Sequence, residues 1–129
     1  MDRIVVLPGR LVKVCRQRLL DYQVQIELLK KLDIQVVAAS VDSLEKAMET
    51  VENFKLSFPV GCGLDAKAVS LQIGAYYDEK EMYLHATGFL LRPDGTVLNA
   101  VYSSRSIGRL VPQDVTSLVE IVRSREAAI

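Results

Sequence analysis

The sequence predicts an α/β fold with helices covering a central mixed sheet. Three observations predict it. Short continuous apolar runs at Ile4–Leu7 and Ile34–Ala39 flank a long amphipathic stretch, which is a βαβ unit. Two further apolar segments, Met82–Leu91 and Thr96–Tyr102, are joined by Arg92-Pro93-Asp94-Gly95, the chemistry of a tight turn. A last amphipathic helix begins at Pro112. The resulting order is βαβα(βα)ββα, a parallel half followed by an antiparallel hairpin and a closing helix.

Each element has a local reason. The run Ile4–Leu7 stops at Pro8-Gly9, as a strand buried on both faces does before a loop. Cys15, Leu19, Tyr22, Ile26 and Leu29 then recur at steps of four and three, which predicts one helix to about Lys31 with Cys15 in its first turn. Asp42, with Glu45 three residues on, reads as a helix cap, and Leu44, Ala47, Met48, Val51 and Phe54 follow at helical spacing. Phe58–Val60 is a short extended segment. Asp65 caps a short helix to about Ile73, closed by Gly74. In the last helix, Val115, Leu118, Ile121 and Val122 form the apolar face.

Composition narrows the function. The 129 residues suit one domain, spanning 1–129, with a core large enough to need no metal or disulfide staple. Sixteen basic residues balance sixteen acidic ones, so no charge excess points to nucleic acid or an anionic membrane. No apolar run is long enough to span a bilayer, and the start has too short an apolar stretch for a signal peptide. The expectation is a soluble, cytoplasmic protein. Two cysteines and one histidine cannot make a four-ligand zinc site within one chain, and no metal or cofactor is expected. In a reducing compartment the cysteines are either core filling or redox chemistry.

Cys15 is the candidate nucleophile. At a helix start, unpaired backbone N–H groups and the positive end of the dipole favour thiolate over thiol, and Arg10, Lys13, Arg16 and Arg18 lie close in sequence. Its pKa is therefore expected below that of a free thiol. Its register with Leu19 and Tyr22 equally suits a small buried hydrophobe. Cys62, between Gly61 and Gly63, is either a resolving cysteine or an incidental one; resolution needs Cα atoms within roughly 7 Å of each other. His85, the one histidine, is a base or hydrogen-bond partner to the nucleophile, or a structural residue. Arg109, after Gly108, lines a substrate mouth or lies on the surface. The run Asp78–Glu81 reads as a solvated face.

The segment order is the thioredoxin-like arrangement, and the residues resemble one branch of it. Pro8 and Cys15 in Leu7-Pro8-Gly9-Arg10-Leu11-Val12-Lys13-Val14-Cys15-Arg16 resemble the Pro-x-x-x-Thr/Ser-x-x-Cys loop of peroxiredoxins, the alkyl hydroperoxide reductase and thiol-specific antioxidant group. Read against the Arg-Gly-x-Trp-Cys-x-x-Cys pattern of related redoxins, Cys15 matches the second cysteine and Val12 takes the place of the first. Ser40-Val41-Asp42-Ser43, Leu56-Ser57-Phe58-Pro59, Gly74-Ala75-Tyr76 and the strand from His85 to Asp94-Gly95 are similar to further family segments, in the family's order.

The resemblance implies a thiol peroxidase in which Cys15 attacks a peroxide and is reduced by Cys62 or by an external thiol such as thioredoxin or glutathione. Pro8, Gly9, Arg10, Val12, Arg16 and Arg109 would form the binding surround. Two departures stand out. Val12 lacks the hydroxyl that the family uses to hold peroxide, and the family's strand arginine falls at Ala86, beside His85. The alternatives are single-cysteine thiol–disulfide exchange on a disulfide substrate, or a non-catalytic scaffold. The family's longer N-terminal extension before Ile4 is missing, so an open sheet edge and a homodimer are expected.

Overall fold

The computed structural model describes residues 2–9, 13–103 and 109–127, with backbone alone at 2, 4, 6–9, 13–15 and 127. The elements run β1 (Asp2–Gly9), α1 (Lys13–Val24), α2 (Ile26–Lys31), β2 (Ile34–Ser40), α3 (Leu44–Phe54), β3 (Val60–Gly61), α4 (Ala66–Ile73), β4 (Tyr77–Asp78), β5 (Tyr83–Leu84), β6 (Thr87–Leu91), β7 (Val97–Tyr102) and α5 (Pro112–Ala127). Five strands form one sheet in the order β3-β2-β1-β6-β7, and β4 and β5 form a separate ribbon.

β1 is the axis of the sheet. It pairs in parallel with β2 and antiparallel with β6. The open edge expected at Ile4 is therefore closed on both sides, and the edge strands are β3 and β7. β2 explains the layering: Ile34, Val36, Ala38 and Ser40 are buried at alternate positions, the period-two signature of one inward face. Ile34, Val36 and Ala38 join Leu19, Tyr22 and Leu29 of α1 and α2, Leu90 of β6, and Val115 and Val119 of α5 in the main core.

Four expectations need correction. The long helix breaks at Gln25, whose ψ of 8° lies outside the helical range, into α1 and α2. No glycine or proline marks the break. Gln23, just before it, is held by Ser57, whose N–H and hydroxyl donate to its side-chain oxygen at 2.7 and 3.1 Å. Ser43, not Asp42, caps α3 by accepting from the Lys46 N–H, because Leu44 is the first helical residue. The buried side of α3 is Ala47 and Thr50, while Leu44 and Met48 stay exposed. The strand expected over Met82–Leu91 is two strands: Met82 has φ 57°, and only Tyr83–Leu84 pairs with β4 before the chain enters β6. The charge run Asp78–Glu81 is the turn of this ribbon, with the Asp78 carboxylate accepting from the N–H groups of Lys80 and Glu81. In α5 Val115 is buried and Leu118 packs against the core as expected, Val119 joins them, and Ile121 is exposed.

Other expectations match. Asp65 caps α4 by accepting from Ala68, and Gly74 closes it with φ 77°. The β6–β7 hairpin turns through Arg92–Thr96, with Gly95 at φ 88° and the Asp94 carboxylate accepting from the N–H and hydroxyl of Thr96. Pro112 opens α5.

Candidate active site

The candidate residues gather at one end of the sheet because of strand direction. β1, β2 and β3 are parallel, so their C-terminal ends share an edge. β6 runs the other way and begins at that edge, and β7 ends there. This end of a parallel α/β sheet is where ligand sites form.

β1 reaches this end in an irregular step. Val6 pairs with Ala38 and Gly9 with Ser40, so the ladder shifts between them. Pro8 lies inside the step and has no N–H to give to a ladder. Such irregularities commonly re-aim a chain beside a site. Arg10 and Val12 lie outside the described residues. The backbone resumes at Lys13, and Cys15 falls in the first turn of α1, where the helix dipole is most positive. Arg16 is half-buried, and its Nε is enclosed without a hydrogen-bond partner among the described residues. Arg18 is committed elsewhere, its Nη1 bridging Asp21 at 3.0 Å.

Cys62 lies just after β3 at the same end, half-buried, with a free thiol. It packs against the main core. Two backbone bonds tie its loop to the end of β2: Gly63 N–H to the Asp42 carbonyl at 2.8 Å and Leu64 N–H to the Ser40 carbonyl at 3.1 Å. Gly61 is needed for close approach, since a Cβ there would stand 3.3 Å from that of Ala39. β2 separates β3 from β1, so Cys62 and the end of β1 are two strand spacings apart, roughly 10 Å.

His85 is not in a strand. It lies between β5 and β6, half-buried, with its ring edge-on to Tyr83 at 5.6 Å. Its N–H donates to the Tyr76 carbonyl at 2.8 Å. Ala86 beside it is buried. Arg109 is half-buried at the entry to α5, next to Leu110. The buried Tyr22 hydroxyl donates to the Leu110 carbonyl, which ties this segment to α1. Burial pushes the Tyr22 pKa far above the usual phenol range.

Two residues that the sequence did not single out also lie here. Ser40, Thr50 and Thr87 are the buried polar side chains among the described residues. The Thr50 hydroxyl donates to the Lys46 carbonyl of its own helix. Ser40 and Thr87 bracket the end of β1, Ser40 beside Gly9 and Thr87 beside Leu7. A serine in a turn motif and a threonine in a strand carry no marker of their own.

A cavity of about 290 Å³ is remote from this end. It lies between α2 and the start of β2 and is lined by Ile26, Ile34, Val36 and Phe58. Among the described residues no cysteine or histidine lines it. Among the described residues no group of three or more His, Cys, Asp or Glu could hold a metal ion, and no helix is long and apolar enough to cross a membrane.

The fold is thioredoxin-like, in the form seen in peroxiredoxins. It superposes on the reduced 2-Cys peroxiredoxin of Plasmodium vivax with a TM-score of 0.80 at 12% identity, covering 98% of this chain and 67% of that one. For AhpC of Enterococcus faecalis the TM-score is 0.78 at 21% identity, with 99% and 78% covered. For peroxiredoxin 6 of Arenicola marina it is 0.76 at 15% identity, with 97% of this chain covering 61% of that one. The chain belongs to the AhpC/TSA family, whose pattern it matches over residues 4–100. No curated protein matches the sequence.

Proposed function

We propose that this chain is a thiol-dependent peroxidase with Cys15 as its nucleophile. One observation carries the reading. In an AhpC/TSA-family chain, the cysteine occupies the first turn of the helix that leaves the central strand. The dipole there, with the half-buried Arg16 beside it, favours an anionic sulfur.

The Cys15 thiolate attacks one peroxide oxygen. The S–O bond forms as the O–O bond breaks, and the departing oxide takes a proton to leave as water or alcohol. Sulfur is oxidised by two electrons to sulfenic acid. A thiol then attacks that sulfur, forming a disulfide and releasing water, and a second thiol reduces the disulfide. Pro8, Gly9, Arg10, Val12, Arg16 and Arg109 are the binding surround that the family resemblance assigns to the peroxide, and His85 is a proton partner for the departing oxide. Two strand spacings and packing against the main core hold Cys62 back, which supports an external thiol as reductant, such as thioredoxin or glutathione. A free Cys62 thiol suits a reducing cytoplasm. A homodimer would cover the open edge of β7, where Val97 and Tyr102 are exposed.

The test is intact mass after one equivalent of hydrogen peroxide and a sulfenic-acid trap, beside Cys15→Ser and Cys62→Ser. The expected result is rapid trapping that needs Cys15 and no Cys15–Cys62 disulfide. A disulfide that needs Cys62 would reassign it as the resolving residue. Reaction at Cys15 no faster than at an ordinary thiol would overturn the peroxidase reading.

A further inference from the structure

We infer that the cavity between α2 and the start of β2 is a binding site for a small neutral molecule, apolar in body, that carries one amide edge with an N–H and a C=O side by side. The site lies at the opposite end of β2 from the candidate active site and does not depend on the thiol chemistry there.

The cavity exists because the ladder between β2 and β3 ends early. Ala38 of β2 pairs with Val60, and its N–H donates to the Pro59 carbonyl at 3.0 Å. A parallel ladder repeats this pattern every two residues. The next rung would give the Val36 N–H to the carbonyl of Ser57, and the Val36 carbonyl to an N–H at position 59. Pro59 has no N–H to offer. One rung further, the Ser57 N–H would reach the Ile34 carbonyl, but it donates to the Gln23 side-chain oxygen at 2.7 Å instead. The segment before β3 leaves β2 at this point, and about 290 Å³ stands open between the two and α2.

Three features define the occupant. First, the Val36 N–H and carbonyl and the Ile34 carbonyl point toward the gap, in step with those of Ala38. Among the described residues none of the three forms a hydrogen bond on that side, although Val36 is 1% exposed and Ile34 3%. Buried backbone groups are nearly always paired. An N–H and a C=O offered by one residue are met by an amide edge, donor to acceptor and acceptor to donor. Secondly, Ile26, Ile34, Val36 and Phe58 make apolar walls. The space is many times the share of one water, roughly 30 Å³, and sits near the lower end of small-molecule pockets, roughly 300 Å³. Thirdly, Lys30 and Asp33 both line it, so opposite charges balance and favour neither an acid nor a base. An added peptide strand does not qualify, because Ser57, Phe58 and Pro59 line the side along which it would run.

The experiment titrates the isotope-labelled full chain with benzamide and follows the backbone amide signals by NMR. Methyl benzoate, with the same ring and carbonyl but no N–H, is run beside it. Benzamide is expected to bind with a millimolar Kd and to shift the Val36 and Phe58 amides most, and methyl benzoate to bind about tenfold more weakly. Pro59→Ala supplies the missing N–H. It is expected to close the rung, so that the amide at position 59 exchanges slowly and benzamide affinity falls about tenfold. Ile26→Phe narrows the cavity from α2, leaves the ladder alone, and is expected to weaken both probes. Equal affinity for the two probes, full affinity in Pro59→Ala, or no shift near Val36 up to the solubility limit of benzamide would each overturn the inference. The last result would leave the cavity to water.

Discussion

The main core and the small core beside α4 are built differently. The main core joins α1, α2 and α5 to the sheet through large side chains that are fully enclosed, among them Leu19, Tyr22, Leu29, Val36 and Leu90. The small core buries Ala66, Ala75 and Leu84, with Val41, Leu64, Val69, Ile73 and Tyr77 partly covering it. Burying a large apolar side chain is worth about 1.5–3 kcal/mol, whereas an alanine contributes one methyl. α1 is thus seated on the strong core through Leu19 and Tyr22, and the ribbon leading to His85 on the weak one. Where enclosed area is small, local opening costs less than global unfolding. α1 is built to stay in place, while the segment from Ala66 to Leu84 can open without it.

A matched pair of truncations has the largest expected effect on the two cores. Leu19→Ala is expected to lower global stability by about 2–5 kcal/mol, read from urea unfolding. Leu84→Ala is expected to act locally, speeding amide exchange at Tyr83–His85 while moving the global midpoint less. Equal shifts of the midpoint in both variants would show that the two cores unfold as one.

Tyr22→Phe removes the hydroxyl that links α1 to the carbonyl of Leu110, and is expected to cost about 1–2 kcal/mol. Its pH dependence has a definite sign. Burial raises the Tyr22 pKa in the folded state, with the nearby Arg18 pulling the other way. The folded protein therefore resists losing this proton, while the unfolded chain loses it at about pH 10. The stabilisation is complete below pH 10 and declines above it. Thermal unfolding of Tyr22→Phe should decline less steeply with alkali than the parent's; parallel curves would remove Tyr22 from the account.

The smallest effect lies at the far end of the hairpin. The Thr96 hydroxyl, then its N–H, hold the exposed Asp94 carboxyl below its ordinary pKa. Stabilisation of the turn is present above that ordinary value and lost as the pH falls through the lowered one. Asp94→Asn should flatten this acid response, seen in amide exchange at Arg92–Thr96, and leave both cores untouched.

Local chemistry is what the sequence by itself determined. Asp65 and Gly74 bound α4, Pro93-Asp94-Gly95 makes the hairpin turn, and Pro112 opens α5. In each case the residue type satisfies a backbone need within a few positions. The family was legible too, because Pro8, Cys15 and the later segments keep their order. Tertiary structure decided the rest. The break at Gln25 falls beside a glutamine held by a residue 34 positions away, which no local pattern records. Only part of each expected stripe of α3 and α5 is enclosed: Ala47, Val51, Phe54, Val115 and Leu118 pack on the core while Leu44, Met48 and Ile121 stay exposed, because packing against the sheet, not spacing alone, selects the buried side. Met82–Leu91 became two strands because its first part found β4 as a partner. Ser40 shows the limit most clearly. A serine in a turn motif is ordinary in sequence, and only the pairing of β2 with β1 sets it, buried, opposite Gly9 at the end of the central strand.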